Sequence, residues 1–271
     1  MAAGIEMNMT QSATTLNFRP GQSISRQTLL RLLSDWPGLE DSTGKTADRS
    51  TVSSFYLRPG DGLEFLTGIG SDAEAWRRPL LELGGNVLRS DTGLAGFRLE
   101  DRGLVVAPPF PLTDSQFTRD LDTGPLEKSL QADLTIGVVL LRLGRFSVAV
   151  YQGQKLVTSK TDARYVKGRH SAGGTSQQRF VRIREGQIQR LYDKTCLAVQ
   201  NQFGPYLDRL EYILLGGESQ TLIGFMKACP HINRLRDHVL DRRLNVRDPK
   251  RDTLDRVGEM LWDCRVWPVE W

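Results

Sequence analysis

Cysteine is scarce in this chain: Cys196, Cys229 and Cys264 are all there is in 271 residues. They are widely spaced and odd in number. That argues against the dense, even disulfide framework of a small secreted scaffold. Cys229-Pro-His231 brings two ligand types close together, but no second pair stands at metal-site spacing, so no metal and no cofactor are expected. Long apolar runs are also missing. None approaches the roughly 20 residues needed to span a bilayer. The first fifteen residues lack the basic-then-apolar order of a signal peptide. The expectation is a disordered tail over residues 1–20 of a soluble, cytoplasmic protein with no membrane partner. Internal repeats are absent as well.

Charge, by contrast, is abundant and unevenly spread. The net charge is +4 and the isoelectric point near 9.0. Between Lys155 and Arg190, Lys and Arg occur at 155, 160, 164, 167, 169, 179, 182, 184 and 190, against only Asp162 and Glu185. Such a concentration suits a polyanionic partner. A second cluster, Arg234, Arg236, Arg242, Arg243 and Arg247, is interspersed with aspartates and reads mainly as a solvated face.

The first basic run contains a segment of special design. Arg164 to Ser176 is basic, small and glycine-bearing, and from about Gln177 an amphipathic helix begins. A glycine-containing basic loop that runs into a helix start can hold phosphates and oxyanions. Two amides, Gln177 and Gln178, stand at the junction. Val181, Ile188, Tyr192, Cys196, Val199 and Phe203 recur on one helical face, and Gly204-Pro205 ends the helix. Arg179, Arg182 and Arg190 fall within about 80° of one another on another side. Gly186 lowers helix propensity by about 1 kcal/mol against alanine, without an evident reason.

The rest of the chain frames this segment. Ser25 to Leu33 reads as a capped helix, Thr51 to Leu57 as a strand, and Asp72 to Leu83 as a helix. Leu94 to Leu99 and Leu104 to Ala107 read as a hairpin. These form a small N-terminal α/β domain over 21–112, with no motif that carries chemistry. Residues 113–130 read as a linker, with a short helical turn over Leu126 to Leu130. The second domain, 131–271, opens with strands Leu134 to Leu143, Phe146 to Gln152 and Lys155 to Thr161. Hairpin-type spacings at Gly144-Arg145 and Gly153-Gln154 join them. Glu211 to Leu215 reads as a buried strand, Gln220 to Ala228 as a helix, Val239 to Val246 as a strand and Asp252 to Trp262 as the final helix. The order predicts an α/β domain with a mixed sheet.

The run Lys167-Gly-Arg-His-Ser-Ala-Gly-Gly-Thr-Ser-Gln-Gln-Arg-Phe-Val-Arg-Ile-Arg184 resembles the catalytic middle domain of archaeal and eukaryotic class I peptide release factors. That family carries a His, a Gly-Gly-Gln loop and then Arg-Phe-x-Arg-Leu-Arg. The preceding β-meander and Leu215-Gly-Gly217 agree with it. Here Thr175 follows Gly173-Gly174, and the amide comes later. That departure is similar to the Vms-like release factor branch, which has actinobacterial and chloroflexal members. The resemblance covers about half the chain, from Leu134 onward. It implies a ribonuclease H-like catalytic domain preceded by the smaller N-terminal domain. It also implies peptidyl-tRNA ester hydrolysis at stalled ribosomes. The partners would be the large subunit, peptidyl-tRNA and rRNA, with no DNA, and the protein would act as a monomer.

By resemblance the water-placing amide falls on Gln177, with Gln178 beside it. Gly173 and Gly174 would let the backbone approach RNA closely. Lys167, Arg169, His170, Arg179 and Arg182 would bind RNA. An amide suits the task because its oxygen accepts, its NH2 donates and neither titrates. Ordinary first-turn residues behind a Thr175 or Ser176 cap would give the same amides without catalysis. Two further readings stay open: cleavage within the tRNA 3′ end, and a non-catalytic ribosome-binding rescue or recycling factor.

Overall fold

The computed structural model describes residues 18–35, 51–168 and 175–271, with side chains of the last segment described from 177. The proposed tail before residue 18, the helix stop at Trp36 and the polar loop of 40–50 lie outside the described residues. The chain is mixed α/β and divides into two units, each with its own sheet. No helix among the described residues is long and apolar enough to cross a membrane.

The first unit contains β1 (Gln22–Ile24), α1 (Arg26–Asp35), β2 (Val52–Leu57) and the short helices α2 (Gly62–Thr67), α3 (Ser71–Glu74), α4 (Arg77–Glu82) and α5 (Gly85–Leu88). Next come β3 (Leu94–Leu99), β4 (Arg102–Ala107), β5 (Gln116–Thr118) and α6 (Gly124–Leu130). Ser25 caps α1, its Oγ accepting the Thr28 N–H at 3.2 Å. The helix expected over 72–83 breaks into α3 and α4. The expected linker over 113–130 is instead structured. β5 pairs with β2 through Phe117 and Phe55, and Leu126 of α6 is fully buried. Residues Ser54 and Tyr56 explain this: Ser54 Oγ donates to Asp120 O and Tyr56 Oη to Asp122 O, tying the segment to β2.

The second unit carries β6 (Thr135–Arg142), β7 (Arg145–Gln152), β8 (Lys155–Ala163), α7 (Thr175–Phe203), β9 (Tyr212–Gly217), α8 (Ser219–Ala228), α9 (Pro230–Arg234), β10 (Val239–Leu244) and α10 (Arg251–Met260). Its sheet runs β10-β9-β6-β7-β8. The meander β6–β7–β8 is antiparallel, while β9 and β10 lie parallel to β6 and to each other. β6 is the centre, and its unbroken apolar run follows from having a strand on each side and packing on both faces. The first turn closes on the pair Arg142–Arg145, so Leu143-Gly144 forms it, one residue before the expected position.

One sheet face packs on α7, α8 and α9 through Val139, Phe146, Val148, Leu191, Val199, Phe203, Leu215 and Phe225. On α10, Leu254 and Val257 are fully buried, and Tyr151 Oη of β7 donates to Leu254 O at 2.8 Å. Gly217, at the end of β9, has φ 134°. A Cβ there would overlap the Leu141 carbonyl, so the Leu215-Gly-Gly217 sequence follows from the close pairing of β9 with β6.

The final strand, β11 (Cys264–Glu270), corrects the expected boundary of the second domain at 271. It pairs antiparallel with β4 and with β1, inside the first unit's sheet. Val266, Trp267 and Val269 are buried there. The second unit is therefore Ser129–Asp263, inserted between the last and earlier parts of the first.

Candidate active site

α7 is built in two parts. From Leu191 onward it carries fully buried residues: Leu191, Thr195 and Val199, then Phe203 at 1% exposure. Before that it stands clear of the core. Every described side chain from Gln177 to Ile183 is exposed, including Phe180, Val181 and Ile183. The apolar face drawn from 181 to 203 is thus buried only in its C-terminal half. The first described amides, Gln177 and Gln178, lie in the opening turn of a projecting helix, as do Arg179 and, one turn on, Arg182. Unpaired N–H groups and the positive end of the helix dipole lie at the same place.

The approach to this helix is held down. The Arg164 N–H donates to Gly144 O at 2.7 Å, continuing the ladder past β8. Val166 packs against the core cluster. At Lys167 both backbone groups are taken by α7: its N–H donates to Gln187 Oε1 at 2.9 Å, and its carbonyl accepts Arg184 Nε at 3.0 Å. The Lys167 ammonium lies 4.1 Å from the centroid of the Phe180 ring. The stem is therefore strapped to the flank of α7 about three turns beyond the helix start. Lys167 is brought beside the site; Arg169, His170, Gly173 and Gly174 lie outside the described residues.

Beneath the strap, Tyr192 packs against Phe225, with ring centroids 6.2 Å apart. Burial pushes its phenol above the ordinary range; Glu218 adds to this and Arg184 opposes it. Arg184, Gln187 and Tyr192 were not among the predicted site residues. The spacing 184, 187, 191/192 on one helical flank was the available signal, but nothing in the sequence said that a strand end would lie against it.

Two sequence expectations change here. Cys196 of α7 and Cys229, which follows α8, form a disulfide with Cα atoms 5.3 Å apart, a single bond where no disulfide framework was expected. Both positions face the same core, and the fold brings together residues 33 apart. This also removes Cys229 as a thiolate partner for His231. No cluster of potential metal ligands occurs among the described residues. In the second basic cluster, Arg242 is committed to structure: its guanidinium donates to the carbonyls of Met260, Leu261 and Asp263 at 2.8–2.9 Å, closing the end of α10.

The arrangement presents neutral amides, a helix N-terminus and arginines to solvent at the tip of a firmly rooted element. Such groups can donate to and accept from a polyanion or a water, and the amides do not titrate.

Comparisons with known proteins agree with the sequence resemblance. Peptide chain release factor subunit 1 of Archaeoglobus fulgidus is 32% identical over 123 residues, 43% of this chain and 29% of that protein. The Pyrobaculum aerophilum protein of the same name is 29% identical over 154 residues, 54% of this chain and 39% of that one. The chain thus spans well under half the length of these relatives. Among solved structures, an archaeal translation termination factor matches with TM-score 0.32 and 16% identity, covering 88% of this chain and 72% of that one. The structure described as the Vms1 mitochondrial localization core matches with TM-score 0.35 and 13% identity, covering 63% and 74%. Residues 134–267 match the family described as the Actinobacteria/chloroflexi VLRF1 release factor. That segment, just under half of the chain, supports a Vms-like release factor of the actinobacterial and chloroflexal type.

Proposed function

We propose that this protein is a ribosome-associated peptidyl-tRNA hydrolase that frees nascent chains from stalled ribosomes. The observation that carries the reading is the pair of exposed amides, Gln177 and Gln178, in the first turn of a projecting helix within a release-factor segment. The second unit is the catalytic domain in this reading. Its strand order, with a three-stranded antiparallel meander and two parallel strands added at the first strand, supports a ribonuclease H-like fold.

The chemistry asks little of the protein beyond placement. Gln177 Oε1 accepts a hydrogen bond from water and turns its lone pair to the ester carbonyl carbon. As the water oxygen adds, backbone N–H groups at the helix start and the amide NH2 receive the developing oxyanion. The bond from carbonyl carbon to the ribose oxygen then breaks. The ribose oxygen leaves with a proton that came from the water, giving free peptide and intact tRNA. Gly173 and Gly174 allow the loop to enter a narrow RNA cleft. Lys167, Arg169, His170, Arg179 and Arg182 hold phosphates, without base specificity.

The deciding assay is peptide release from large-subunit complexes carrying peptidyl-tRNA, with Gln177→Ala, Gln178→Ala and the double variant. The double variant is expected to lose roughly a hundredfold or more, the scale of removing one positioned donor, and the released tRNA keeps its 3′ end. Undiminished release by the double variant refutes the amide mechanism. A shortened tRNA 3′ end assigns the protein to tRNA cleavage. Thr175, in the place where release factors carry glutamine, favours a second reading as a non-catalytic ribosome-binding rescue factor. Ribosome co-sedimentation with no release by the wild type would establish it.

A further inference from the structure

Beside the root of the loop, a groove of about 560 Å³ runs between the stem and α7, lined by Arg164, Tyr165, Gln187, Arg190, Asp193, Lys194 and Leu197. Tyr165 is the most exposed large hydrophobic side chain among the described residues, at 77%, and Leu197 is 49% exposed. An aromatic ring so placed on a strapped stem gains nothing from folding.

The charges around it are similarly unspent. Arg164 stands 3.4 Å from Asp162, and Asp193 accepts from Gln189 Nε2 at 2.9 Å. Arg190 and Lys194 have no carboxylate within 4 Å among the described residues. They are like charges at i and i+4 on an exposed helix, which is mildly destabilising in isolation.

The same stripe of α7 continues toward the helix start. Arg179, Ile183, Gly186, Arg190, Lys194 and Leu197 follow at spacings of four, three, four, four and three. These positions stay within about 80° of one another. All are exposed, and the stripe is about 27 Å long at 1.5 Å per residue. Gly186, whose missing side chain no internal contact explains, lies in it and leaves the helix backbone open to close approach.

We propose that this groove is a subsite for single-stranded RNA. An unpaired base stacks on Tyr165, and the flanking phosphates lie on Arg190 and Lys194, along a track that leads up α7 to Arg179. The proposal rests on the reading above that this side of the protein meets RNA. It assigns to the helix flank a contact separate from the ester-cleaving tip. An exposed tyrosine beside cations suits unpaired bases, which offer a π-face that duplex RNA hides.

The test uses the full chain and a fluorescein-labelled, unstructured 15-nucleotide adenine-rich RNA, read by fluorescence anisotropy. Tyr165→Ala is expected to weaken binding about five- to a hundredfold, and Tyr165→Trp to retain it. Arg190→Ala with Lys194→Ala is expected to weaken binding and to reduce the slope of log affinity against log salt by about 1.4, two phosphates' worth. Tyr165 and both cations are exposed, so unchanged thermal melting shows that the variants are folded. Duplex RNA competing as well as single strands, Tyr165→Ala binding like the wild type, or poly-glutamate competing as well as RNA would each overturn the proposal. The last outcome would mark an acidic protein partner. The Gln177→Ala/Gln178→Ala protein should bind this RNA normally. If it binds normally and also releases peptide normally, the hydrolase reading fails while the subsite stands.

Discussion

The strap on Lys167 sets a measurable demand on the loop. Gln187 accepts its N–H and Arg184 donates to its carbonyl, so two side chains of α7 fix one residue of the stem. At half-buried sites each bond contributes about 1 kcal/mol net, and the pair about 2. A difference of 1.4 kcal/mol is tenfold, so the stem should be detached about 3% of the time. Gln187→Ala removes one bond and raises that fraction to about 15%. Amide hydrogen exchange by NMR reads this directly, because the Lys167 N–H loses its acceptor as well as its neighbour. Its protection should fall at least fivefold in Gln187→Ala and persist in Gln187→Glu, whose carboxylate still accepts. Peptide release should drop severalfold in Gln187→Ala if the stem positions the catalytic tip. Unchanged exchange at Lys167 in a folded Gln187→Ala protein would refute the strap.

Three further outcomes follow from the packing of the second unit. Reducing the Cys196–Cys229 bond opens a loop of 33 residues, which by chain entropy lowers stability by about 3.7 kcal/mol; an identical urea midpoint with and without reductant would contradict it, with buried Cys264 as the unpaired control. Gly217→Ala should destabilise by more than 2 kcal/mol, because the added methyl meets the Leu141 carbonyl in a backbone conformation that disfavours side chains; thermal melting checks it. Burial raises the Tyr151 phenol above its usual 10.0. Its contribution is full below pH 10 and is lost as pH rises from there toward the folded value, so stability should fall above pH 10 in the wild type and less steeply in Tyr151→Phe.

What the sequence made legible follows from which forces are local. The strand β6 was readable because a central strand is apolar throughout. The meander was readable from its hairpin spacings, and α7 from a face that repeats every 3.6 residues. The release-factor resemblance was readable because it rests on a contiguous run, from Lys167 to Arg184. The larger failures are long-range. Cys264–Glu270 alternates like a strand, but Pro268 argues against one, and its partner β4 lies more than 150 residues away. Residues 113–130 read as a linker because the hydrogen bonds that fix them come from Ser54 and Tyr56. The pairing of Cys196 with Cys229 likewise depends on where α8 ends against α7. Arg242 looked like a surface charge because its three acceptors are carbonyls, which carry no sequence signal.

If Gln177 places the water, as proposed, the division of α7 explains how it can act from a position later than the release-factor glutamine. The position of an amide at the tip depends less on its place in the loop than on how the helix below is held. Here the C-terminal half of α7 is locked by Leu191, Val199 and Phe203 in the core, and by the bond from Cys196. The strap at Lys167 then ties the incoming stem to the helix at Arg184 and Gln187, midway between core and tip. The first turns of α7 extend beyond that point. An amide in the first helical turn is therefore carried on a helix whose root is fixed. On the proposed reading, the resulting gain is pre-organisation of Gln177, with Thr175 at the position where release factors carry the loop amide.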